Sequence, residues 1–343
     1  MSNTALLGAY GDLANSGLNF RNLLINGNFD IWQRSTSAAN SGFDGGSYVS
    51  ADRWRFLTHT GNVGWVDGTL TQSTDTPSAD IKYSAKLVST SAALDDILVS
   101  QTVEGVNAQV LVGKQATLSF WYKKGGALAA GKTFKYAISY LNSFNVGTNA
   151  PLNRGLTTLI QENSISSASM SSTWTKVSMT VTIPSQAANG LYVDFRVDGN
   201  DLGTTGDLLF LSQVQLEAGS IATPFERRPL GLEIDLCHRY YEVKDLRWLT
   251  AQYVASTGRF VCPLIPCKPK RLNPTVAVVG GNIYWADGAI ILSATSNAGV
   301  NFTVTTNDSI FFWQTRQAGG TTPGDNKLVF MESGIVIGIN AEL

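Results

Sequence analysis

The chain has 343 residues, of which 43% are apolar and 15% charged, with a net charge of -1. That composition supports packed cores and excludes a disordered chain. It lacks the basic excess by which nucleic-acid binders neutralise phosphates, and no apolar run reaches the ~20 residues of a bilayer crossing, so neither nucleic acid nor membrane insertion is expected.

Residues 1–20 are small and polar with scattered Leu. They bury too little apolar area to fold alone and read as an arm, either an anchor that orders against a neighbour or a loose terminus. The stretch has no basic cluster followed by an apolar run, so no secretory signal is read there and synthesis without export is expected.

From Asn22 onward, short runs alternate with period two between Gly, Asn, Ser and Asp turns. Thr117–Lys123, Thr133–Tyr140, Thr175–Ile183 and Leu191–Val197 each put one face on a core and one in water. Leu208–Leu216 is more continuously apolar, as in a central strand. Leu232, Leu236 and Tyr240 recur at helical spacing and place one short connecting helix within 231–242. Strand-like runs resume after Val243. The prolines 263, 266, 269 and 274 send one stretch to a sheet edge or an extended loop. The expected fold is therefore all-β: an arm over 1–20, a jelly-roll sandwich over 21–230, the connector helix, and a smaller β-sandwich over 243–343.

Catalytic constellations are sparse. There are two histidines, His59 and His238, and no nucleophile-elbow motif. Asp52, Asp194, Asp198 and Glu217 are available carboxylates, but no pair stands out as glycosidases require. Cys237, Cys262 and Cys267 are too few and too oddly spaced for a disulfide scaffold or a zinc knuckle, and read as reduced, buried thiols. A non-enzymatic protein is expected.

Sugar binding would use exposed aromatics as stacking platforms beside polar groups. Trp65 lies in a turn-rich stretch. Tyr140 and Phe144 flank Asn142 and Asn145 at a strand end. Trp248 follows the connector, and Tyr284 and Trp285 precede Asp287 and Gly288 in an expected hairpin. By contrast Trp32, Trp54, Trp121 and Trp174 alternate with core residues and are expected inside.

Three segments carry a resemblance. They are Asn22–Arg34 followed by Ala51–Trp54, Leu118–Lys123, and Gln213–Ser220 followed by Ala222–Pro229 and Leu236–Tyr241. In order and spacing they resemble tailed-phage fibre, appendage and neck proteins built on a jelly roll like that of carbohydrate-binding modules. The resemblance implies a virion component, commonly a homotrimer, that contacts other virion proteins through its arm and binds a host surface glycan. A capsid cement or collar protein that braces the particle is the alternative. Such jelly rolls often hold a structural calcium between first and last strands, and Asn26, Asn28 and Asp30 stand where its ligands would be.

Overall fold

The computed structural model describes residues 21–39, 48–59, 68–92, 94, 96–145, 156–198, 205–246, 250–254, 259–262, 265–286, 291–293, 300–306, 309–315 and 328–342. It divides into two compact units, residues 1–233 and 234–342.

The alternating runs of the first unit become β1 (Ser37–Ala39), β2 (Arg55–His59), β3 (Gly68–Ser73), β4 (Ser84–Ser89), β5 (Asp96–Glu104) and β6 (Gln115–Lys124). They continue as β7 (Thr133–Leu141), β8 (Thr157–Ser166), β9 (Thr175–Thr182), β10 (Gly190–Asp198) and β11 (Gly206–Ala218). Two antiparallel sheets result: β1-β3-β4-β11-β6-β9 and β2-β5-β10-β7-β8. The apolar run at Leu208–Leu216 lies inside β11, between β4 and β6, as its composition predicts.

Period-two alternation sets which face is inside. Leu118, Phe120 and Tyr122 of β6 meet Val193, Phe195 and Val197 of β10 and Phe134, Tyr136 and Ile138 of β7 in one core. Phe120 sits edge-on to Phe195 at 4.8 Å and to Tyr136 at 5.0 Å between ring centres. Trp54 stacks on Phe29 at 4.9 Å and is fully buried. Trp32 packs on this core from its margin. Trp121 and Trp174 do not join it. They follow the opposite phase of β6 and β9, with Ser119, Lys123, Lys176 and Ser178, and stand half-buried on the outer face of the six-stranded sheet. The expectation that all four tryptophans are inside therefore holds for two.

The second unit begins within the one described α-helix of more than four residues, Leu230–His238. Its strands are β12 (Tyr241–Asp245), β13 (Thr250–Val254), β14 (Arg259–Val261), β15 (Ile265–Pro266), β16 (Thr275–Ala286), β17 (Ile291–Ser293), β18 (Val300–Thr306), β19 (Ser309–Thr315) and β20 (Leu328–Asn340). All belong to one antiparallel sheet organised on the long β20, with the proline-bearing β15 at its edge. Lys270 is fully buried and its ammonium donates to Glu242 at 2.6 Å. Cys237 and Cys262 are buried, Cys267 is half-buried, and none is in a disulfide; burial pushes the Cys262 thiol well up. Among the described residues, no helix is long and apolar enough to cross a membrane.

Candidate functional site

The loop 22–30 is held against β11 by two backbone hydrogen bonds, Leu23 N–H to the Leu216 carbonyl at 2.9 Å and Val214 N–H to the Gly27 carbonyl at 2.8 Å, and by side chains. Asn22 donates from its amide to the Val214 carbonyl at 3.0 Å, and its Oδ1 accepts the N–H groups of Leu24 and Leu216, both at 3.0 Å. Gly27 lies so close that a Cβ would come 2.1 Å from the Val214 carbonyl oxygen. Only glycine permits that approach.

The exit segment 223–233 closes over the same loop. Glu226 accepts the N–H groups of Arg21 and Asn22 at 3.1 and 2.8 Å. Arg228 donates to the carbonyls of Asn22 and Leu24 and pairs with Glu233 at 3.1 Å and Glu226 at 3.6 Å. Gln215 donates to Glu217 and accepts the Glu226 N–H at 2.7 Å, while Thr223 donates to Glu217 at 2.6 Å. Most of these groups find partners in one another, which lowers the cost of burying charge, although Arg21 Nε and Arg228 Nε make no hydrogen bond.

A cleft of about 520 Å³ opens beside this clamp. That size lies within the range of small-ligand sites. Its half-buried aromatics are Tyr83 and Phe225, and its polar wall carries Asn28, Asp30, Lys82 and Arg227. The Lys82 ammonium lies 4.9 Å from the Tyr83 ring centre, and Arg227 reaches Asp80 at 3.5 Å. Asn28 donates to Asp30 at 3.0 Å, but its Oδ1 is buried with no hydrogen-bond partner. A cleft with apolar ring faces, an unspent acceptor and charged rim groups is suited to a ligand that is apolar on one side and hydroxylated on the other.

The three calcium candidates do not form a cation cage. Asn26 is buried, with its amide donating to the carbonyls of Ile31 and Asp52 at 2.9 Å and its Oδ1 accepting the Ile31 N–H. Its oxygen is spent on closing the loop. Asn28 turns an N–H, not an oxygen, toward Asp30. Calcium needs 6–8 convergent oxygens, and these residues do not supply them. Among the described residues no three His, Cys, Asp or Glu side chains group to hold a metal.

The sequence-picked aromatics are scattered. Tyr140 is on the inner side of β7 and packs against the core. Phe144 is 59% exposed, its ring lying against Gly105, whose N–H donates to Asn145 Oδ1 at 2.7 Å. Asn142 accepts the Thr158 hydroxyl at 2.7 Å. Trp65 and Trp248 lie outside the described residues, as do the side chains of Tyr284 and Trp285, whose backbones belong to β16. Tyr83 and Phe225 were missed because both sit in loops without periodicity. The available signals were the Lys82-Tyr83 pair and Phe225 inside a charge-dense exit segment.

Of the four carboxylates, Asp52 bonds to Gln33 and pairs with Arg34 at 3.7 Å, Glu217 belongs to the clamp, and Asp198 pairs with Lys135. Asp194 differs. It lies on the outer face of the five-stranded sheet, in a row that runs Arg55, Ser100, Asp194, Ala137, Glu162 across the five strands. The first four of that row are buried, and burial raises the Asp194 carboxyl to about 7, Arg196 opposing and Glu162 adding to the rise.

No protein-family profile matches the chain, and no curated protein does. Among solved structures, the enzymatically active domain of tailspike protein 4 of bacteriophage CBA120 is similar at 14% identity and TM-score 0.38 over 58% of this chain. The match spans only 21% of that tailspike domain. A family 4 carbohydrate-binding module is similar at 15% identity and TM-score 0.33, covering 57% of this chain and 98% of the module. A sugar-binding protein of Bacteroides thetaiotaomicron is similar at 15% identity and TM-score 0.36, covering 58% of this chain and all of that one.

Proposed function

We propose that the chain is a glycan-binding attachment protein of a tailed-phage particle, acting by recognition and not by catalysis. The observation that carries the binding role is the cleft beside the clamp, where Tyr83 and Phe225 offer ring faces and Asn28, Asp30, Lys82 and Arg227 offer hydrogen-bonding groups. A sugar stacks its C–H face on the rings and places its hydroxyls on the polar wall. The virion assignment rests on the sequence resemblance over residues 22–241. In this reading residues 1–20 dock on the particle, and three copies multiply a weak single-site affinity through effective concentration.

The test is binding of fluorescently labelled full-length protein to host cells and to their purified surface polysaccharide. The double variant Tyr83→Ala/Phe225→Ala is expected to lose at least tenfold in binding, about 1.4 kcal/mol or more, with the melting temperature retained. Unchanged binding by that variant overturns the cleft as the recognition site. Light scattering at three times the 36.8 kDa chain mass supports the trimer. Immunogold labelling of intact particles tests the virion location.

A further inference from the structure

The outer face of the six-stranded sheet carries a second aromatic cluster, whose residues are not those that line the cleft. Two rows of side chains lie side by side on it. One runs Lys86, Phe210, Lys123 across β4, β11 and β6 and ends at Trp174, just before β9. The next runs Ser212, Trp121, Lys176 across β11, β6 and β9. Because Trp121 faces Lys176, Trp121 and Trp174 are diagonal neighbours, with backbones about 7–8 Å apart.

The cluster is built and held. The Trp174 ring meets Phe210 at 6.3 Å and 70°, and its indole N–H donates to Asp75 at 2.8 Å. Lys123 pairs with Asp75 and holds its ammonium 5.1 Å from the Phe210 ring centre. Phe210 is nearly buried and acts as the buttress, while both indoles remain half-exposed. Ser212, opposite Trp121, is fully buried and its hydroxyl has no hydrogen-bond partner. Leaving such a group unsatisfied is costly, and it finds a partner if the Trp121 ring turns to admit a hydroxylated ligand.

We infer that this face is a second sugar-binding platform, with Trp121 and Trp174 stacking on pyranose rings and Asp75, Lys123 and Ser212 meeting their hydroxyls. It shares with the glycan-attachment reading only the class of ligand; its residues are different ones. The chemistry favours a sugar over another protein. Centres of protein interfaces are depleted of Lys and Asp, whereas this patch interleaves its rings with Lys86, Lys123, Lys176, Asp75 and Asp207. An indole already fixed by Asp75 and Phe210 loses little entropy on stacking, which suits weak, repeated contacts along a polymer.

The experiment is indole N–H NMR on the full chain, with the methyl glycosides of glucose, galactose, mannose and N-acetylglucosamine added at concentrations that saturate a millimolar site. At least one is expected to shift the Trp121 and Trp174 signals. Trp174→Ala should weaken that glycoside tenfold or more, and Trp174→Phe, which keeps a ring, should recover part of the loss. Tyr83→Ala/Phe225→Ala should leave these shifts intact. If host binding survives that double variant while the indole shifts persist, the cleft reading falls and this one stands. If no glycoside moves either indole, the platform is overturned. It is equally overturned if Trp121→Ala or Trp174→Ala changes the hydrodynamic size of the protein, since the patch is then a contact between copies of the chain.

Discussion

The clamp around loop 22–30 and the outer face of the six-stranded sheet are made of similar residues and behave oppositely. Both combine aromatics, amides, carboxylates and basic groups. In the clamp most polar groups are spent: Asn22, Asn26, Gln215, Glu217, Glu226 and Glu233 each bond to a defined partner, while Arg21 Nε, Arg228 Nε and, on the cleft side, Asn28 Oδ1 make no hydrogen bond. On the outer face the rings stay half-exposed and a buried Ser212 hydroxyl is left over. Saturated polar groups stabilise a fold, and unsaturated ones beside exposed rings are free to meet a ligand. The row through Asp194 is intermediate: it is polar and buried, and burial raises the Asp194 carboxyl.

That contrast is broken most strongly at Arg228. Arg228→Ala leaves Glu226 and Glu233 with no cation between them and is expected to cost about 3–5 kcal/mol, read from urea unfolding. Next comes Asp194. Its carboxyl rises from 3.8 to about 7 on folding, so the folded chain holds this proton more tightly than the unfolded one. Stability must then fall as pH rises from about 4 to about 7 and level off above. Asp194→Asn should flatten that slope and stabilise the protein at pH 8, by at most about 4 kcal/mol. The two unfolding curves should converge below pH 4. Equal slopes in the two proteins would refute the assignment.

Gly27→Ala forces a methyl into the Val214 carbonyl and is expected to cost about 1–3 kcal/mol. The smallest effect belongs to the outer face. Trp174→Ala removes a half-exposed ring and should change stability by no more than about 1 kcal/mol, while weakening glycoside binding tenfold or more as read on the Trp121 signal. A large loss of stability there would make Trp174 a structural residue like Trp54.

The strands were legible because alternation is local: β6, β7, β9, β10 and β11 fall where Thr117–Lys123 and its counterparts place them. The side of Trp121 was misread although the alternation carries it. Trp121 is out of phase with Leu118, Phe120 and Tyr122 and in phase with Ser119 and Lys123, and those polar companions mark the outer face. The cleft was not legible. It joins residues 22–30, 82–83 and 225–233, and no periodicity relates Tyr83 to Phe225. The asparagines of 22–30 looked like cation ligands because their oxygens were countable in sequence. The bond by which Asn26 Oδ1 accepts the Ile31 N–H, which uses that oxygen, was not.

The clamp also sets a timetable. Arg21 and Glu226 are 205 positions apart, and Asn26 and Glu233 are 207 apart. Contacts of such long range form late, because the intervening chain must be ordered before they return any stabilisation. On the ribosome, loop 22–30 emerges before the exit segment and waits without its partners until that segment has been made. The first unit therefore completes its fold only as the second begins to appear, and translation of the connecting helix marks the point at which the sandwich can lock.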